Sequence, residues 1–187
     1  MSKSPISPPP NHPDLILALN FMSANPPKFH WFLFLPDLGN TTGTKFHAVT
    51  HYPETGGREW VYEHLRVSVD SLNAVAAAAV IGSGIGTEEL HEVLKDIPMA
   101  VPEIDKDREV DFTCRVWIRE ALRRMHACGF VMCEDVDGLE DEMGRYGAGA
   151  FASIEDETFK CATLVRAQRS RSVHQIQNIN NSSAQSQ

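Results

Sequence analysis

Cys114 is the residue with the most chemistry to offer. It lies near the start of a segment, Asp111–Cys128, whose apolar residues recur at helical spacing. In the first turn of a helix, unpaired backbone N–H groups and the positive dipole end favour a thiolate, the nucleophilic form of cysteine. The same spacing puts Cys114 on one face with Trp117, Ile118 and Ala121, which is also how an inert core thiol looks. Two histidines lie upstream: His30 opens an aromatic-rich segment and His47 lies in the next. On neighbouring antiparallel strands these side chains can meet, and a helix end packed over them completes a nucleophile, a base and an orienting group. Acyl transfer is the chemistry that such a set performs. Glu63 and His64 compete for the third role. Adjacent strand residues point to opposite faces, so at most one of them serves.

The elements that must carry these residues divide the chain. Its first half reads as strands: Phe29–Leu35 between proline-rich breaks, Lys45–Tyr52, and Glu59–Val69 after the Pro53–Gly57 turn. Together they predict an antiparallel meander, and Ala74–Ile81 is read as a further strand. The second half reads as helices: Thr87–Lys95 with a threonine cap and a stop at Pro98, Asp111–Cys128 capped by Asp111, and Val136–Tyr146 ended by Gly147. The expected class is α+β, with the meander packed against the helices. Residues 1–13, with five prolines, and 165–187, rich in Ser, Asn and Gln, are expected to be disordered tails flanking one domain at 14–164.

The motifs resemble a family. His30-Trp31-Phe32-Leu33-Phe34-Leu35, a loop, Gly43-Thr44-Lys45-Phe46-His47, and then Thr113-Cys114-Arg115-Val116-Trp117-Ile118 resemble the circularly permuted papain-like hydrolases. The nearest patterns are the NlpC-type and lecithin-retinol-acyltransferase-like relatives, and small uncharacterised fungal members whose pattern is matched by Trp60-Val61-Tyr62-Glu63 and Trp117-Ile118-Arg119-Glu120-Ala121-Leu122. Thr113 stands where the acyltransferase-like members carry asparagine. The resemblance implies a permuted papain-like fold and a cysteine hydrolase or acyltransferase acting on an amide, ester or thioester. Cys114 would be the nucleophile, with His30 and His47 as base and orienting group in either assignment. Trp31, Trp60 and Arg115 would contact the substrate, and no cofactor or metal is implied. Two alternatives are a small-molecule tailoring enzyme, such as a cyclase or isomerase, that uses the histidines alone, and a non-catalytic binding module.

The resemblance implies a small-molecule or peptide-like acyl substrate, and composition disfavours two other kinds of partner. With 17 basic and 25 acidic residues the net charge is −8, which disfavours nucleic acid and anionic membranes. The apolar runs fall short of the roughly 20 residues that span a bilayer. The proline-rich start is unlike a secretory signal, and four cysteines in a chain of this size fit reduced thiols, so a cytoplasmic location is expected. Two further patterns read as structural: Gly82–Thr87 echoes a dinucleotide-binding turn, and His126, Cys128 and Cys133 are an incomplete zinc set. Arg115, Arg119, Arg123 and Arg124 form a basic stripe that either pairs with nearby acids such as Glu120 and the 134–142 cluster or recognises a carboxylate-bearing substrate.

Overall fold

A computed structural model describes residues 4–172 of the chain. It opens with a two-residue strand, β1 (Ile6–Ser7), and continues through β2 (Asp14–Ala24), β3 (Pro27–Pro36), β4 (Thr42–His51), β5 (Glu59–Ser68) and β6 (Val75–Ser83). Helices α1 (Thr87–Leu94), α2 (Cys114–Ala127) and α3 (Val136–Glu155) follow. The short β7 (Val131–Met132) precedes α3, and β8 (Ala162–Arg166) and β9 (Arg171–Ser172) come after it. Seven strands form one mixed sheet in the order β1-β8-β6-β2-β3-β4-β5, and β7 pairs with β9 apart from it. The class is therefore α+β, and the expected meander is present as β3–β4–β5. The strand expected at Ala74–Ile81 is present as β6, Val75–Ser83. Among the described residues no helix is long and apolar enough to cross a membrane.

The sheet's centre is a strand that the sequence reading passed over. β2 is flanked by β3 and β6, both antiparallel, so Leu15–Leu19 is buried on both faces and shows a continuous apolar run without alternation. The two faces build two cores. Trp31, Leu33, Leu35, Phe46 and Ala48 pack beneath the helices with Trp117, Leu122 and Met125. Phe32 and Phe34 face the other way, against Ile6, Val69, Leu72 and Val75. That second face uses Ile6 as part of its cover.

Ile6 marks the first correction. Residues 4–13 and 165–172 belong to the fold: Ile6 is fully buried, and β1 pairs in parallel with β8. The segment after β8 is held by Glu142, a buried carboxylate that accepts N–H bonds from Gln168 (2.9 Å) and Arg169 (3.2 Å) and the Tyr146 hydroxyl (2.9 Å). Composition misled because a few buried anchors are enough to order a polar segment. Residues 1–3 and 173–187 of the expected tails lie outside the described residues.

Helix limits are corrected too. α2 starts at Cys114, and its cap is Thr113, whose hydroxyl accepts from the Val116 N–H, in place of Asp111. α1 is preceded by Gly86, whose N–H donates to Glu89 at 3.0 Å, in place of a Thr87 cap. The Gly82–Thr87 turn thus spends a donor on the protein's own carboxylate. α3 runs on through Gly147, whose missing side chain lets the helix approach Leu19 and Phe29, where an added Cβ would sit at 3.1 Å. A close approach, and no helix end, explains that glycine.

Ion pairs fix α2 against the loop before it and against α3. Arg119 is almost wholly buried and bonds Asp105 (2.7 Å) and Glu140 (2.9 Å), while Arg123 reaches the same Asp105 and Arg115 joins Glu140 to Glu109 at 2.6 Å each. Burial pushes the Asp105 carboxyl up, but the hydrogen bonds from Arg123 and Arg119 outweigh it and hold the pKa below its ordinary value.

Two measurements check this architecture. Trp117 is fully buried with its indole N–H unpartnered, so Trp117→Ala is expected to cost roughly 3–5 kcal/mol in denaturant unfolding and Trp117→Phe clearly less. Deleting residues 1–13 removes Ile6 from its pocket and is expected to cost about 2 kcal/mol or more; an unchanged midpoint would mean that β1 contributes nothing.

Candidate active site

The thiol sits where two strands part. β3 and β4 pair from Pro36↔Gly43 to Leu33↔Phe46 and no further, although β4 stays paired to β5 out to His51↔Glu59. Beyond Leu33, the start of α2 occupies the seam. Cys114 is the first residue of that helix and is buried. The backbone N–H groups of Trp31, Arg115 and Cys114 itself favour its thiolate, as does the Arg115 charge. Desolvation is the larger effect and leaves the thiol pKa above its ordinary value. The expectation of a lowered cysteine pKa is thus corrected: the resting group is a protonated thiol.

The histidines meet, as the strand spacing suggested. His30 Nε2 and His47 Nδ1 are 2.7 Å apart. Facing His47 across the β4–β5 ladder is Glu63, whose Oε2 lies 3.6 Å from His47 Nε2. Its other oxygen is 2.8 Å from His51 Nε2. His47 Nε2 is buried without a hydrogen bond, and the Glu63 carboxylate at 3.6 Å favours a proton on it, which leaves His30 Nε2–H donating to His47 Nδ1. His30 Nδ1 is then left with a free lone pair. Desolvation, followed by the nearby Lys45 charge, lowers the His30 pKa to about 4. The same causes, with the His30 charge added, lower His47 to about 3.

The pleat separates the three residues more than the sequence pattern implied. His30 stacks on Phe32, on the face turned away from the helices, and Lys45 sits over the same ring at 4.5 Å. His47 shares the parity of Lys45, so the imidazoles lie on that face while Cys114 packs with the helix-side core. Among the described residues no hydrogen bond joins the Cys114 sulfur to either ring. The seam is the path between them, and a thiolate formed on Cys114 would act on Lys45 across it.

The remaining expectations divide by face. Glu63 joins the histidine pair, while His64 points the other way, its ring 4.1 Å from that of His91 on α1. Trp31 is a core side chain and Arg115 is committed to Glu109 and Glu140, so neither is free to hold a substrate. Trp60 is half-buried and, with Arg58, Phe112 and Thr113, lines a cavity of about 470 Å³ next to the start of α2. Lys45 and His51 were missed. The strand parity they share with His47 was the signal that could have found them. Among the described residues no group of three or more His, Cys, Asp or Glu side chains is placed to hold a metal, and His126 Nδ1 instead accepts the Cys133 N–H at 3.3 Å.

The neutral histidines make stability depend on pH. In the unfolded chain each titrates near 6.5, so unfolding takes up protons below that value. Their contribution is complete above pH 6.5 and is lost as pH falls through about 4 for His30 and about 3 for His47. Denaturant midpoints are expected to fall across this window, and to fall less steeply in His47→Gln. Equal slopes would show that the two rings are not buried in the neutral state.

Neither a search of the curated proteins nor one of the solved structures returns a match to this chain. One family model does, over residues 13–146, which take in β2 to β5, Cys114 and both histidines. By that match across more than half of its length, the chain belongs to DUF6914, a family of unknown function.

Proposed function

We propose that the chain is a cysteine-dependent hydrolase or acyltransferase of permuted papain-like architecture, acting on an amide, ester or thioester. The observation that carries this reading is a first-turn cysteine lodged in a strand seam, with backbone N–H groups favouring its anion and a His30–His47–Glu63 chain on the strands that form the seam.

Because the resting thiol and imidazoles are neutral, attack and proton transfer occur together. The Cys114 sulfur bonds to the carbonyl carbon as its proton passes to His30 Nδ1. The carbonyl electron pair moves onto oxygen, where the N–H groups at the start of α2 stabilise it. Collapse expels the leaving group, which takes the proton from His30. Water or a second nucleophile then attacks the thioester, gives its proton to His30, and restores the thiol as the thioester bond breaks. His47 and Glu63 keep His30 in the tautomer with a free Nδ1. Contacts of this kind commonly close only when substrate excludes water, which suits a sulfur and an imidazole not yet in contact.

A second reading has its own support. The raised thiol pKa and the missing Cys114–histidine contact favour acid–base chemistry by His30 and His47 alone, as in an isomerase or cyclase.

An activated ester such as p-nitrophenyl acetate separates the two. The first reading expects an acyl adduct on Cys114 by mass spectrometry, absent in Cys114→Ser and formed about 10²-fold or more slowly in His30→Gln, with an acid limb near pH 4. Acylation that ignores His30→Gln, or that falls on Cys128, would overturn it. Any turnover that survives Cys114→Ala selects the second reading.

A further inference from the structure

A second cavity lies between α3 and the β6–β8 side of the sheet, with a volume of about 380 Å³, within the range of small-molecule sites. None of Cys114, His30, His47 or Glu63 lines it. Its lining has a charge character opposite to that of the chain. The protein carries a net charge of −8, yet no Asp or Glu faces this cavity, and its two charged residues are Arg145 and Lys160. Among the described residues neither forms an ion pair, in contrast to Arg115, Arg119, Arg123 and Arg124. The floor is apolar and small, with Ala76 and Ala77 of β6 facing Ala150 of α3.

Gly149 adds an independent observation. It lies inside α3, where glycine is the poorest helix former after proline. A Cβ built on it would meet nothing within 4 Å, so no packing contact requires glycine there. In this respect it differs from Gly147, which the sheet does require. Any side chain at 149 would begin to close the cavity that it lines.

We propose that this cavity binds a small organic anion with an apolar body: the headgroup pairs with Arg145 and Lys160, and the body lies over the alanine floor beside Phe159. A medium-chain carboxylate and an alkyl phosphate share that chemistry, and their headgroups can be told apart by experiment.

Cys161 lines the cavity and is half-buried, whereas Cys128 is exposed elsewhere, so the full chain holds a reporter and an internal control. Iodoacetamide labelling of each is followed by mass spectrometry with octanoate, hexyl phosphate, octanol or octylamine, all below their micellar concentrations. Calorimetry with the same four probes gives binding directly. At least one anion is expected to bind and to slow Cys161 without slowing Cys128, and octanol and octylamine to do neither. The better of the two anions identifies the headgroup. Gly149→Leu fills the open space, gains helix propensity, and is expected to abolish binding while keeping the fold. Arg145→Gln with Lys160→Gln is expected to raise the half-saturating concentration about tenfold or more. Binding of octanol equal to that of octanoate, no binding by either anion, or undiminished binding in folded Gly149→Leu would each overturn the proposal.

Discussion

The parting of β3 from β4 after Leu33↔Phe46 is the constraint on which the candidate site depends. Had the ladder continued, the Trp31 N–H would be spent on a β4 carbonyl and α2 would pack over a closed sheet. Because it stops, one strand edge carries unpaired polar groups into the interior, and something must satisfy them. The N-terminus of α2 does so with Cys114. The same parting leaves room for His30 and His47 to meet across the gap at 2.7 Å. A fault in sheet pairing thus admits the helix end and its thiol from one face and lets the imidazoles meet on the other.

Holding that arrangement falls to charges elsewhere. The seam sets where α2 begins, but its direction is fixed by Arg115, Arg119 and Arg123 pairing with Asp105, Glu109 and Glu140. Breaking one member of a buried set leaves an uncompensated charge, so these pairs resist rotation of the helix about its axis. Such a rotation would move Cys114 out of the seam. Arg115 therefore serves the thiol by positioning the helix, in place of touching a substrate.

Much of this was legible in the chain, and the exceptions have physical causes. Aromatic content between proline and glycine breaks identified β3 and β4, alternation identified β5, and the same alternation separated Glu63 from His64. Helical spacing put Cys114 and Trp117 on one face. What periodicity could not carry was the relation between elements. The parity that aligned His30 with His47 also turned both away from the helix layer, which becomes visible only once α2 has a side of the sheet. β2 was hidden because a strand covered on both faces loses its alternation. Gly147 looked like a stop because glycine's two uses, left-handed turns and close approach, read alike in sequence. Ile6 was overlooked because one buried residue does not change the composition of a proline-rich segment.

The pairing of β1 with β8 also bears on how the molecule is made. Ile6 meets Ala162, past all three helices, whereas β2 to β5 pair through successive neighbours. A chain emerging from the ribosome can assemble that local meander while the rest is still being synthesised, but the β1 edge must wait for β8. During that interval Phe32 and Phe34 lack part of their cover, and the nascent protein presents an aromatic patch that its finished form conceals. The β1 segment precedes the meander in the chain yet is ordered after it.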